Sequence, residues 1–525
     1  MSGHPRPRSG WAIAWRIALA FAVMACAALL FLGGRHVVRT WNPPKPVLIA
    51  FSHSLSGPLA MVGKEALVAT QMYIDDVNAG GGIDGHPLEL RIFDDQSQAS
   101  VARDNVRAIL ESPALAVLGH SAGDTSFAAG PAYQAGHIPV VTGVASNDEV
   151  TETNPYYFRT LTANSAQAKF LAQYIHIAIL RPGGAFAQTP DIHLITSDDR
   201  FGRDFRAGFE AGNAGPAGLS LAVETGAGLD ASASALADEL ARQTQTRIIV
   251  LGLAAETMPA VLKAIRRRGI QSMIILASAG ASDAFAMQFQ NEAEEKDSPG
   301  FFTANSFAIA PMIMDNIGLF GQGLAARYHD KTGLRASWFA GSAQNAVRML
   351  VISMRDAQIS NSTDTKALQR EKIRAALADI DRPGNAVTGV DGKMWFDNRH
   401  DMPRPLRYGY FREGRFLSAP LQLIELRNKE LVNIRREMEA GHLVQVDDRF
   451  FWLQRLVATG IDLTHVSSID IKTGTFNAEF YFWLRYDAGD DLPSEVEFSD
   501  FSGNFDPARP LQSVTENGIA YPGPG

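Results

Sequence analysis

A single cysteine, Cys26, stands in a chain of 525 residues. No intrachain disulfide is therefore available, and no C-x-x-C metal or redox motif exists. Any exported domain must be held by its core alone. Excess positive charge is also missing: 48 Lys and Arg face 56 Asp and Glu, a net charge of −8. That balance does not fit a nucleic-acid surface, so no nucleic-acid partner is expected. His53, His86 and His120 show no metal-ligand spacing such as H-E-x-x-H, and neither a metal nor a cofactor is expected. No repeat of short fixed period occurs. Apolar runs long enough to cross a bilayer, about 20 residues, are absent except once.

That one run is Trp11–Gly34, WAIAWRIALAFAVMACAALLFLGG. Its single charge, Arg16, lies near one end, where it can snorkel, and Trp11 and Trp15 suit the headgroup level. The length favours an uncleaved signal anchor, giving a single-pass membrane protein whose remaining chain lies outside the cytoplasm. A cleaved signal peptide has a shorter apolar core of about 7–15 residues. A lipoprotein signal at Val23-Met24-Ala25-Cys26 is a further alternative, although AALLFL continues the apolar run beyond the cysteine.

After the breaker Trp41-Asn42-Pro43-Pro44, strands and helices alternate. PVLIAF is a continuous apolar run suited to a strand buried on both faces. Ala66, Ala69, Met72, Tyr73 and Val77 then recur at helical spacing until Gly80-Gly81-Gly82 stops them. LELRIFDD, LAVLG, IPVVTG, IHLITS, RIIVLGL and SMIILAS read as further strands with helices between them. The pattern predicts parallel sheets flanked by helices, in too many units for one compact sheet, hence two α/β lobes. GVDGKMWFDNRHD and RYGYFREGRFL read as short strands and a hairpin. Residues 424–445 read as a polar helical linker, with Ile424, Leu431 and Met438 seven apart. Residues 446–525 read as a small all-β module in which Phe476, Ala478, Phe480, Phe482 and Leu484 share one face.

The stretch LAVLGHSAGDTSFAA contains Gly119-His120-Ser121-Ala122-Gly123, a match to G-x-S-x-G. In a serine hydrolase that pattern sets a nucleophile, here Ser121, on a tight strand-to-helix turn. Such an enzyme also needs a histidine, an acid and oxyanion donors, and no HGGG-type loop precedes Ser121. The same turn can bind without reacting. Free N–H groups at a helix start attract anions, Gly123 permits close approach, and Ser121 and Thr125 supply hydroxyls. TGVASNDE, residues 142–149, forms a second such turn after a neighbouring strand. Two anion-friendly turns at the carboxyl ends of adjacent parallel strands make a pocket. Asp94-Asp95 and Asp198-Asp199 are expected to be strand-end carboxylates capping helices.

SLSGPLAMVGKEALVATQMYIDDVNAGGGIDGHPLELRIFDDQSQ, then GHSAGDTSFAA, PVVTGVASNDE, YYFRT, SDDRFGRDF and GKMWFD, together resemble a type I periplasmic binding protein of the branched-chain amino-acid-binding branch. The resemblance covers about Pro46–Leu423. It implies a two-lobed fold that closes over a small solute and catalyses nothing, with a permease or receptor assembly as partner. It implies a binding domain over 46–423, with residues 1–45 expected to be an N-terminal cytoplasmic tail, the transmembrane signal anchor and a linker. The first lobe would hold 46–160 and 303–388, and the second 161–302 and 389–423, with hinges near Arg159-Thr160, Thr303-Ala304 and Gly389. Ser121, Ala122, Gly123 and Thr125 would take a ligand carboxylate, and Val144, Ala145 and Ser146 would add backbone and hydroxyl groups. Phe201 would close over the ligand, with Leu253, Ala254 and Ser278 opposite. Amino-acid binders of this kind place an acid where this chain has Ala277-Ser278-Ala279-Gly280. Asp283 and Asp124 are the candidate substitutes for it; without one, a carboxylate lacking the amine is favoured, because an unpaired buried ammonium is costly. VATGIDLTHVSSIDIKTGTFNAEFYFWLRY resembles the first strands of the extracellular β-sandwich of bacterial pentameric ligand-gated channels, which makes a receptor-subunit fragment an alternative.

Overall fold

A computed structural model of the chain describes Met24 and residues 44–522, apart from 181–189, 215–220, 227–228, 243–246, 360–363, 427, 447–448, 488–512 and 517–518. The expected membrane segment Trp11–Gly34 thus lies outside the described residues, Met24 excepted. Among the described residues no helix is long and apolar enough to cross a membrane.

The first sheet contains β1 (Val47–His53), β2 (Leu88–Asp94), β3 (Ala116–Gly119), β4 (Val140–Thr142) and β5 (Tyr157–Arg159), all parallel, in the order β2-β1-β3-β4-β5. β1 is buried throughout, as a strand covered on both faces must be. Its alternate residues serve different cores. Val47, Ile49 and Phe51 pack with Ala66, Tyr73 and Ile74 of the helix Ala60–Ala79 and with Val347 and Leu350 of the helix Trp338–Asp356. Leu48 and Ala50 pack on the other side with Val106, Ile109 and Tyr133. The first helix ends at Ala79, before the three glycines.

The second sheet contains β6 (Asp191–Ser197), β7 (Leu221–Gly226), β8 (Arg247–Gly252), β9 (Met273–Leu276) and β10 (Ser306–Ala310). β11 (Val387–Gly389) and β12 (Gly392–Met394) form a separate hairpin. β13 (Arg407–Arg412) joins the second sheet antiparallel to β10, with β14 (Arg415–Ser418) at its edge, giving the order β14-β13-β10-β9-β8-β6-β7.

This topology moves two of the expected lobe boundaries. SFAIA of β10 is an apolar strand paired in parallel with β9, so the chain leaves the second lobe after Ala310 rather than near Thr303-Ala304. The β11–β12 hairpin belongs to the first lobe, because Met394, Phe396 and Met402 pack in its core. The return crossing is therefore not at Gly389. It runs through residues 400–404, beside the outgoing strand: Arg159 N–H donates to His400 O at 2.9 Å and Met402 N–H to Arg159 O at 2.9 Å. The outgoing segment follows β5, which ends at Arg159.

The linker expected to be helical over 424–445 is mostly not helical. β15 (Leu421–Glu425) pairs with β17 (Arg449–Arg455), which also pairs with β16 (Leu443–Val446), and only Ile434–Glu439 is α-helical between them. Beyond it, β18 (Ala458–Asp470) and β19 (Thr475–Asp487) form a long hairpin, extended by β21 (Ile519–Pro522) and β20 (Ser513–Glu516) into one sheet.

Candidate functional site

β1, β3 and β4 end side by side in the first lobe, and the chain leaves each carboxyl end toward the second lobe. The helix after β3 starts at Gly123, preceded by an extended Ala122 that makes no side-chain cap. Ser126 N–H is the first to donate back, to Ala122 O at 3.1 Å. Among the described residues no acceptor takes the N–H groups of Gly123, Asp124 or Thr125, which leaves them as unpaired donors at the positive end of the helix.

A polar network under this turn fixes its floor. Ser121 Oγ lies 2.9 Å from His53 Nδ1 and accepts from Ser54 N–H at 3.1 Å. Ser54 Oγ in turn donates to Asp95 Oδ1 at 2.6 Å. The other oxygen of Asp95 is 2.7 Å from His120 Nδ1, and His120 Nε2 lies 3.0 Å from the Tyr133 hydroxyl. Burial alone would raise the Asp95 pKa, but the hydrogen bonds from His120 and Ser54 win and hold it below the ordinary carboxylate value. Burial pushes His53 down to about 3, so its imidazole is neutral. Asp95 is therefore a buried network acceptor and not a helix cap, whereas Asp199 does cap as expected, accepting from Gly202 N–H at 2.8 Å.

The second turn is held by Arg159, which is wholly buried. Its guanidinium grips Asp401 with two bonds, 2.8 and 2.7 Å, and donates to the carbonyls of Ser146 at 2.7 Å and Asn147 at 2.6 Å. The N–H groups of Val144 and Ala145 donate to Thr142 Oγ1 at 3.2 and 3.1 Å. These two residues thus offer the cavity apolar surface rather than the expected backbone donors. The two turns touch at Gly123, where a Cβ would sit 1.7 Å from Asn147 Oδ1. Gly123→Ala is expected to displace Asn147 at about 1–3 kcal/mol of overpacking. With about 1.4 kcal/mol per tenfold, binding of a cleft ligand should weaken about tenfold, measured by calorimetric titration.

Between the lobes lies a cavity of about 230 Å³. Ser121, Ala122, Gly123, Thr125, Val144, Ala145 and Ser146 line it from the first lobe, and Phe201, Ala254 and Ser278 from the second. Leu253 is the exception: it is fully buried among the second lobe's core side chains and does not reach the cavity. Sequence reasoning missed Leu59, Val62, Asn147, Glu256, Trp338 and Phe339, all of which line it. Trp338 also ties the lobes, donating from Nε1 to Ser278 O at 3.2 Å. Among the described residues no Lys, Arg or His lines this cavity, and its carboxylates are the exposed Asp124, Asp199 and Glu256. Asp283 does not substitute for the missing acid, because its side chain bonds Arg335 at 3.2 Å and Phe416 N–H at 2.7 Å, outside this lining.

Ser121 and His53 lie as close as a nucleophile and its base, yet the surroundings are wrong for attack. A base with a pKa near 3 takes a serine proton poorly, and the acid that would orient it, Asp95, is bonded to His120. What remains is a closed floor, unpaired helix N–H groups, apolar walls and a gap between two hinged lobes: the architecture of a solute-binding domain. The chain belongs to the periplasmic binding protein family, whose sequence profile matches residues 46–414. A Leu/Ile/Val-binding protein homologue of Brucella abortus is 29% identical over 176 residues, 33% of this chain and 43% of that protein, so the chain spans less than half the length of this curated relative. Among solved structures, the branched-chain amino acid transporter substrate-binding protein of Streptococcus pneumoniae, in complex with isoleucine, superposes with TM-score 0.61 at 19% identity, over 71% of this chain and 98% of that one. A solute-binding protein of R. palustris in complex with benzoate gives TM-score 0.59 at 15% identity, over 71% and 95%.

Proposed function

We propose that this chain is an extracytoplasmic solute-binding protein that captures a small monocarboxylate with an apolar body and delivers it to an ABC-type permease. The observation that carries this reading is the cavity at the carboxyl ends of both sheets, with three unpaired helix N–H donors on one wall and no cationic side chain. Those N–H groups take the carboxylate. Val62, Val144, Phe201, Trp338 and Phe339 enclose the apolar body. The resemblance places the acid that would hold an α-ammonium within Ala277-Ser278-Ala279-Gly280, which has none, and this favours a ligand without that amine. The three exposed carboxylates at the cavity disfavour a second anionic group on the ligand. Contacts from both lobes stabilise the closed form, and only that differential affinity shifts the population toward it. In this reading Trp11–Gly34 is a signal anchor that keeps the domain at the membrane surface.

The test is the melting temperature of the full chain, in mild detergent, against branched-chain amino acids, short-chain carboxylates, aromatic acids and their amides. A ligand at about 100 times its Kd adds about 2.7 kcal/mol, a shift of a few degrees for a domain of this size. Stabilisation by one class of monocarboxylate is the expected result, and no shift with any acid would defeat the reading.

A further inference from the structure

His53 closes β1, and among the described residues its side chain has a single hydrogen-bond partner, Ser121 Oγ, at 2.9 Å from Nδ1. Its ring stacks on Phe51 at a centroid distance of 4.3 Å, which fixes its orientation. Among the described residues nothing pairs with its Nε2. Ser121 Oγ also accepts from Ser54 N–H at 3.1 Å, and Ser54 is pinned by Asp95. A neutral imidazole carries one N–H, so two arrangements exist. With the proton on Nδ1, both lone pairs of Ser121 Oγ receive donors, from His53 and from Ser54 N–H. The serine O–H then has no acceptor in the floor and turns toward the cavity as a donor. With the proton on Nε2, Nδ1 accepts the serine proton instead. Ser121 then offers the cavity a lone pair, which suits an ammonium or amide N–H and repels a carboxylate.

We infer that His53 is a positioning residue which, as its Nδ1–H tautomer, sets the Ser121 hydroxyl as a donor to the ligand carboxylate. The inference rests on the carboxylate reading of the cleft. It follows from two features of the site. The unpaired N–H groups of Gly123, Asp124 and Thr125 beside Ser121 already select an anion, and a lone pair among them would oppose it. An Nε2–H would in addition be a donor with no acceptor among the described residues, on a ring only 3% exposed. His53 therefore never touches the ligand, yet it fixes which sign of polar group Ser121 recognises. Burial keeps the ring neutral through the physiological range, so the arrangement does not lapse on mild acidification.

The test labels histidine with nitrogen-15 in the full chain and reads both ring nitrogens of His53 by long-range proton–nitrogen correlation, with His53→Asn identifying the signal. Spectra are taken with benzoate and with L-isoleucine, each followed by calorimetry in the same sample. A protonated Nδ1 and a bare Nε2 in the bound protein is the expected result. A probe that binds while Nε2 carries the proton overturns the inference and leaves the cleft reading standing. If no carboxylate binds at all, the cleft reading fails and this inference with it. Two substitutions give an independent readout. His53→Asn keeps an N–H donor near the Nδ1 position and should hold carboxylate affinity within about threefold, whereas the near-isosteric His53→Asp, an acceptor, should weaken it more than about tenfold. Equal affinities for the two, in proteins that still fold, would mean that His53 only fills space.

Discussion

Arg159→Met is expected to destabilise the full chain by about 3–5 kcal/mol, the usual result of removing one member of a buried ion pair. The loss is large because four groups depend on one guanidinium. Asp401 would be left as a carboxylate only 7% exposed, and the carbonyls of Ser146 and Asn147 would each lose their guanidinium donor, keeping only the N–H groups of Asn164 and Val150. Thr151 Oγ1, which donates to Asp401 at 2.7 Å, helps only one oxygen of that carboxylate. The same substitution should release the second turn of the cleft, so ligand affinity should fall even below the temperature where the fold fails. Adding Asp401→Leu to Arg159→Met removes the orphan charge and should recover part of the stability, but not the affinity, because the Arg159 bonds that hold the Ser146 and Asn147 carbonyls are still missing. Chemical denaturation of the two variants together with a ligand titration separates these effects. Recovery of both would show that Arg159 does not hold the turn.

The second large effect is a pH dependence at Glu65. This carboxylate is 7% exposed within the helix Ala60–Ala79 and accepts from Ser337 N–H at 2.6 Å. Ser337 caps the helix that carries Trp338 and Phe339, so Glu65 supports the aromatic wall of the cavity. Burial is the main cause that raises its pKa from 4.5 to about 7, against the opposing hydrogen bonds from Ser337 and Ala340. A folded-state pKa above the unfolded one makes folding take up a proton. Its contribution is complete below about 4.5 and is lost as pH rises through about 7. The wild type should therefore lose up to about 3 kcal/mol of stability across that window, at 1.36 kcal/mol per pKa unit. Glu65→Gln keeps an acceptor for Ser337 and removes the charge. It should flatten this part of the profile and be the more stable protein at pH 8, as urea denaturation at pH 4.5, 6 and 8 will show. A wild-type slope that survives in Glu65→Gln would assign the titration to another group.

Most of the fold was legible because its strands are short apolar runs closed by turns. β1, β3, β6 and β8 fall within a residue or two of where PVLIAF, LAVLG, IHLITS and RIIVLGL place them. The residues that misled are those whose partners lie far along the chain. Ile424, Leu431 and Met438 share a sevenfold spacing, but Ile424 is paired with Trp452 in a sheet, while Leu431 and Met438 are exposed. The expected boundary at residue 303 puts SFAIA in the first lobe, and only its pairing with β9 moves it to the second. In the site, the two strand-to-helix turns were visible from local pattern, since glycines, hydroxyls and the preceding strand are contiguous. His53 and Arg159 were not. Their partners Ser121 and Asp401 are 68 and 242 residues away, and a histidine at a strand end or an arginine before a threonine carries no local sign of that role. Leu253 follows a strand end just as the lining residues do. One residue of register separates it from Ala254, which is enough to turn it into the core.

The central claim is that the interlobe cleft recognises a carboxylate on an apolar body through the helix start at Gly123. The most direct measurement is calorimetric titration of the full chain with benzoate, benzamide and L-isoleucine, repeated with Gly123→Ala. A monocarboxylate should bind one to one, benzamide should bind far more weakly than benzoate, and Gly123→Ala should lose most of the affinity. Equal affinity for benzoate and benzamide, or full affinity in Gly123→Ala, would contradict the account.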